Sequence, residues 1–129
     1  MSFPKKILVV DDEQNAVEAL AKILREDGYQ VAVAGTEEQA MNQLEQSTFD
    51  FVITDLFLLR KSCNKLLNTL RSHEPRIPVV LVTGHENVDR YVSEYPLEEM
   101  TRLSKPIQYD ELKRAIATIQ ARGGSGEQG

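Results

Sequence analysis

A chain of 129 residues with a formal charge of −5 is long enough for one domain with a real hydrophobic core, and its acidity argues mildly against a direct grip on nucleic acid phosphates. Its composition, 41% apolar and 27% charged, is that of a soluble globular protein. Cys63 is the only cysteine, which excludes an internal disulfide and a thiolate metal cluster. The opening MSFPKK lacks the apolar core of a signal peptide and no apolar run approaches membrane-spanning length, so a reducing cytoplasm with no membrane contact is the expected setting.

Ile7 to Val10 is short, apolar and rich in β-branched residues, as suits a strand buried on both faces. NAVEALAKILRED, residues 15–27, follows with Ala16, Leu20, Ile23 and Leu24 at helical spacing, and Gly28 is a natural stop beyond it. YQVAVAG, 29–35, alternates Val31 and Val33 as a half-buried strand would. Thr36 is placed to cap a second helix that carries Ala40, Met41 and Leu44 on one side. FDFVITD, 49–55, is another apolar run ending in an acid. KSCNKLLNTLRSHEP, 61–75, reads as a helix with Leu66, Leu67 and Leu70 inward, stopped by Pro75. IPVVLVTG, 77–84, is the most hydrophobic strand, ENVDRYVSEY a weaker helix and MTRL, 100–103, a poor fifth strand. IQYDELKRAIATIQAR ends the pattern with Leu112, Ile116 and Ile119 inward.

Strand and helix alternate five times at lengths that permit parallel crossovers. The expected fold is α/β: a single doubly wound, five-stranded parallel sheet with helices on both faces. One folded domain is expected over residues 4–122. GGSGEQG, 123–129, has the composition of a flexible tail or linker, either a terminal remnant or the start of a tether to a further domain.

Ligands of open parallel sheets bind beyond the carboxyl ends of the strands. On this reading Asp11 and Asp12 follow the first strand, Asp55 the third, Thr83 the fourth and Lys105 the fifth, so all five gather on one rim. Three carboxylates crowded together repel. A hard divalent cation such as Mg²⁺ (or Mn²⁺) relieves this, because it prefers oxygen ligands and keeps several waters. With a phosphoryl group on Asp55, the cation, Lys105 and Thr83 would each have an oxygen to hold, and phosphoryl transfer is mostly positioning and charge neutralisation.

Four short motifs, VVDDE, FVITDL, VLVTGH and LSKPI, stand in this order, each after its own strand. In this the chain resembles the receiver domain of a bacterial two-component response regulator, over roughly residues 5–121. VTGHENV resembles in particular the receivers attached to sigma-54-dependent transcription activators. The resemblance implies a flavodoxin-like sheet of strand order 2-1-3-4-5. It implies that Asp55 is the phosphoacceptor, served by a sensor histidine kinase. It also implies that Asp12, Asp55 and the Phe57 main-chain carbonyl ligate Mg²⁺, with Asp11 acting through water. Thr83 and Lys105 would bind the phosphoryl oxygens, Gly84 would leave room for them, and the bond from Lys105 to Pro106 would be cis. An attached or partner output domain and a homodimer through the last helices and strand are the partners it suggests. Such a domain is regulatory, not an enzyme acting on a separate metabolite.

The chain departs from that pattern in places. The loop after the phosphoacceptor carries Leu59 and Cys63 where the family usually has proline and glycine, so it lacks both the fixed φ of one and the freedom of the other. Arg102 occupies the switch position usually held by Tyr or Phe, and burying its unpaired charge would be costly. Phe57 and His85 stand where relatives border the path of the hydrolytic water, and bulky Phe57 is expected to slow dephosphorylation. Taken singly, each acid is as readily a solvated turn residue, Thr83 a helix cap, Lys105 a surface lysine and Cys63 a small helix residue. Two alternatives follow: a pseudo-receiver that works as a phosphate-independent interaction module, and a haloacid-dehalogenase-like phosphohydrolase. The second wants a further Asp two positions on, where this chain has Glu13.

Overall fold

The structure is a computed structural model and describes residues 5–55, 57–58, 61–62, 64–72, 77–83, 100–104 and 107–128. Within them lie β1 (Lys6–Val10), α1 (Gln14–Glu26), β2 (Gln30–Ala34), α2 (Glu37–Gln46), β3 (Phe51–Asp55), β4 (Phe57–Leu58) and β5 (Lys61–Ser62). After these come α3 (Asn64–Ser72), β6 (Val79–Thr83), β7 (Met100–Ser104) and α4 (Tyr109–Gln128).

Five strands pair in parallel, as the alternation predicts, in the order β2-β1-β3-β6-β7, as the family resemblance implies. The central strands are apolar on both faces because helices cover both. Leu8, Val10, Val52, Val79 and Leu81 turn to the face closed by Ala40 of α2 and by Leu66 and Leu70 of α3, with Met41 and Leu44 packed at its margin. Ile7, Val9, Phe51, Ile53, Val80 and Val82 turn the other way, onto Val17, Leu20 and Leu24 of α1 and Leu112, Ala115, Ile116 and Ile119 of α4. Each fully buried Leu or Ile is worth about 1.5–3 kcal/mol relative to exposure, so these two layers are the main stabilising term.

Helix ends follow from local chemistry. Thr36 accepts a hydrogen bond from the Gln39 N–H at 3.1 Å, and the Gln39 side chain accepts from the Gly35 N–H at 2.7 Å. At the end of α1 the Gly28 N–H donates to the Arg25 carbonyl and the Tyr29 N–H to that of Leu24, the paired bonds of a Schellman stop. Gly28 has φ +99°, which a side chain would strain.

Three expectations are corrected. Ala16 and Ile23 do not face the core: the buried positions of α1 are Val17, Leu20, Ala21 and Leu24, one step round the helix. Lys61 and Ser62 are not the start of a helix. They form an antiparallel ribbon with Phe57 and Leu58, and α3 begins only at Asn64. The backbone of 123–128 is helical where linker composition predicts a loose tail. A helix once nucleated adds a hydrogen bond per residue, even though each glycine costs about 1 kcal/mol relative to alanine. Arg102 lies exposed on β7, in keeping with the cost of burying its charge. The helix expected over 86–95 lies outside the described residues.

Candidate functional site

The strand order reverses direction between β1 and β3, since the chain passes from β1 outward to β2 and then returns to lay β3 on the other side. A crevice forms beyond the strand ends at such a switch point. Asp11 and Asp12 follow β1 directly and Asp55 closes β3, so the sheet register carries all three to that crevice. One carboxylate oxygen from each lies within 4.8 Å of the other two. Asp55 is buried at 7% exposure, Asp11 is half-buried and Asp12 is exposed, so the cluster is open to solvent on one side.

The supports of these acids are local. The Asp11 N–H donates to the Ala34 carbonyl at 3.1 Å, which extends the β1–β2 ladder by one rung. Its Oδ1 accepts from the Glu13 N–H at 3.0 Å, an Asx turn that leads the chain into α1. Beside Asp55, the hydroxyl of Thr54, fully buried, donates to the Asp55 carbonyl at 3.0 Å.

An all-oxygen donor set of this kind suits a hard cation. Oxygens on opposite sides of a bound Mg²⁺ stand about 4.2 Å apart, twice its usual bond length. A cluster spanning up to 4.8 Å is of the size that one such ion and its waters occupy.

Thr83 is the last residue of β6 and lies in register with Ser104, the last of β7, so both strands end at the same rim. The side chains of Thr83 and Phe57 lie outside the described part of the structure, as do residues Leu59, Cys63, Gly84, His85, Lys105 and Pro106.

The family model for the response regulator receiver domain matches residues 7–117. This chain belongs to that family. Among curated relatives the receiver is 31% identical over 110 residues to the transcriptional regulatory protein ZraR of Escherichia coli strain K12, covering 85% of this chain and 25% of the relative. It is 34% identical over 112 residues to the alginate biosynthesis transcriptional regulatory protein AlgB of Pseudomonas aeruginosa, covering 87% of this chain and 25% of that protein. The chain thus spans about a quarter of the length of the curated relatives it matches. Among solved structures, the response regulator TrrA of Thermotoga maritima, in complex with Mg²⁺ and BeF, superposes with a TM-score of 0.74 at 28% identity, covering 89% of this chain and 98% of that one. The receiver domain of NtrX from Brucella abortus gives 0.76 at 27%, with 88% and 96% covered.

The receiver carries features that sequence reasoning missed. A groove of about 540 Å³ starts at Asp11 and Glu13 and is lined by Ala16, Ala19, Leu20 and Ile23 of α1 and by Ile107 and Tyr109. The Tyr109 hydroxyl donates to the Asp27 carboxylate, tying the start of α4 to the end of α1, and the Lys113 ammonium lies 5.7 Å from the Tyr109 ring centre. Removal from water, then that hydrogen bond, then the charge of Asp27 push the Tyr109 pKa up to about 12. The signal for the groove was present in the sequence, since Ala16 and Ile23 continue the apolar spacing of α1 beyond the width its core contact needs.

Proposed function

We propose that this receiver is a phosphoacceptor switch in which Asp55 takes a phosphoryl group from the phosphohistidine of a sensor histidine kinase. The phosphorus–nitrogen bond of the donor breaks, a bond from phosphorus to an Asp55 carboxylate oxygen forms, and the donor imidazole leaves with the electron pair. The observation that carries this reading is the convergence of Asp11, Asp12 and Asp55 within 4.8 Å at the crevice of the sheet. Asp12, Asp55 and the Phe57 main-chain carbonyl would hold Mg²⁺, with Asp11 acting through water. A bound Mg²⁺ offsets the negative charge that the phosphoryl group and the acids bring together. Thr83, Lys105 and Gly84 would receive the phosphoryl oxygens. The TrrA relative in complex with Mg²⁺ and BeF supports this assignment.

Phe57 bears on it through its backbone. Two residues separate Leu58 from Lys61, so that pair closes the ribbon and exchanges main-chain hydrogen bonds. The next pair, Phe57 with Ser62, is then of the non-hydrogen-bonded kind, which directs the Phe57 carbonyl away from Ser62.

A protein donor must cover surface around Asp55 to deliver its phosphoryl group. The groove along α1 begins at the acid cluster, is apolar along its length and has Asp11 and Glu13 at one end. It suits a donor helix with an apolar stripe and a basic residue near its reactive histidine. Transcription is the proposed output, through a further domain, because the ZraR and AlgB relatives are transcriptional regulatory proteins of which this chain matches only 25%. A homodimer through β7 and the last helix is the proposed assembly, with β7 an edge strand that exposes Arg102. The cytoplasm is the proposed setting; no helix among the described residues is long and apolar enough to cross a membrane.

Incubation with Mg²⁺ and phosphoramidate, read by intact mass, tests the reading. One phosphate adduct on the parent and none on Asp55→Ala is the expected result. No adduct on the parent under varied conditions would establish the phosphate-independent pseudo-receiver instead.

A further inference from the structure

Building on the phosphoacceptor reading, we infer that Glu37, in the first turn of α2, is the positioning residue for the ribbon that follows Asp55. Its Oε2 accepts a hydrogen bond of 2.8 Å from the main-chain N–H of Leu66, 29 residues away in sequence. Leu66 is the third residue of α3, so its N–H is one of those a helix leaves without an internal partner. The usual remedy is a Ser, Thr, Asp or Asn just before the helix. The residue there is Cys63, whose thiol is a weak acceptor. The acceptor comes from a neighbouring helix instead.

The bond is partly buried and charge-assisted, and it sets a carboxylate at the positive end of α3. Glu37 also stands in the acidic first turn of α2, so one side chain serves the starts of two helices. Its position links both sides of the acid cluster. On one side, α2 is capped by Thr36 and held to Gly35 by Gln39, while Ala34 bonds the Asp11 N–H. On the other, α3 starts two residues after Ser62, β5 pairs with β4, and β4 starts two residues after Asp55. Fixing the first turn of α3 therefore fixes the ribbon, and with it the Phe57 main chain, relative to Asp11 and Asp55. In this chain, where Leu59 and Cys63 stand in place of the proline and glycine usual in the family, Glu37 provides a constraint from outside the loop.

The test compares Glu37→Ala, Glu37→Gln and Thr36→Ala with the parent. Amide hydrogen exchange at Leu66 by NMR, Mg²⁺ affinity by calorimetry and phosphate incorporation by intact mass are the readouts. Glu37→Ala is expected to speed Leu66 exchange about tenfold, the scale of one lost hydrogen bond. It is expected to weaken Mg²⁺ binding about tenfold, as outer-shell substitutions do at metal sites. Glu37→Gln keeps an acceptor oxygen and is expected to fall between it and the parent. Thr36→Ala loosens the same helix without touching α3, and is expected to leave Mg²⁺ affinity within about twofold of the parent. Parent-like Mg²⁺ affinity in Glu37→Ala, or an equal loss in Thr36→Ala, would overturn the inference. Should Glu37→Ala not fold, Glu37→Asp, which draws the carboxylate back by one methylene, is read against the same two criteria. A parent that takes no phosphate while the exchange and Mg²⁺ results hold would sink the phosphoacceptor reading and leave the positioning role standing.

Discussion

Thr54 donates its buried hydroxyl to the main-chain carbonyl of Asp55, 3.0 Å away. The side chain has no solvent exposure and lies in register with Val10 and Leu81, so this bond satisfies a polar atom in an apolar layer. Thr54→Val keeps the shape and removes the donor. It is expected to destabilise the fold by about 1 kcal/mol, measured by urea denaturation, with Thr54→Ser retaining the bond but losing methyl packing. Equal stability of Thr54→Val and the parent would show that the hydroxyl contributes nothing.

The crowding of Asp11, Asp12 and Asp55 predicts a stability–activity conflict. Without divalent metal, Asp55→Asn is expected to be more stable than the parent by roughly 1–3 kcal/mol, because it removes one of three close negative charges. Saturating Mg²⁺ is expected to raise the parent by about 2–3 kcal/mol at a hundredfold excess over its dissociation constant, and the variant by less. Thermal denaturation in chelator and in Mg²⁺ measures both. Stability that ignores Mg²⁺ would argue against a metal at this cluster.

Tyr109 gives a pH signature. Its folded pKa is about 12 against an ordinary 10.0, so the folded state favours the protonated phenol. The associated stability is complete below pH 10.0 and fades as the hydroxyl ionises on the way to about 12. An ultraviolet titration of phenolate should show Tyr109 as a late tyrosine, and Asp27→Asn should bring it earlier by removing the negative charge while an amide oxygen remains as acceptor.

Ile23 is 40% exposed within the groove along α1. Ile23→Glu is expected to cut the rate of phosphotransfer from a phosphohistidine protein donor about tenfold, the effect of one interface anchor. Phosphorylation by phosphoramidate should be unchanged, since a small donor does not need the groove. Equal losses with both donors would place the effect on the fold instead.

The sequence by itself determined the layers and the rim. Runs such as Ile7–Val10 and Val79–Val82 are apolar at every position, which only a sheet covered on both faces accommodates. Acids at the ends of two such runs then had to meet wherever those strands became neighbours. These features are legible because each is set by a few adjacent residues. Thr36 was legible as a helix cap on the same ground, since the N–H it accepts from lies within one helical turn.

What only the tertiary structure decided are pairings between residues far apart in the chain. Nothing local to Glu37 marks it as the cap of α3, and nothing near Tyr109 marks Asp27 as its acceptor. The ribbon of Phe57–Leu58 with Lys61–Ser62 replaced an expected helical start because cross-strand pairing outweighed a weak local preference. Ala16 and Ile23 belong to the groove and not to the core because α4 occupies only part of the face that α1 presents. A side chain's reach is set by its own neighbours, but its partner is set by how whole helices pack, and that information is spread over the entire chain.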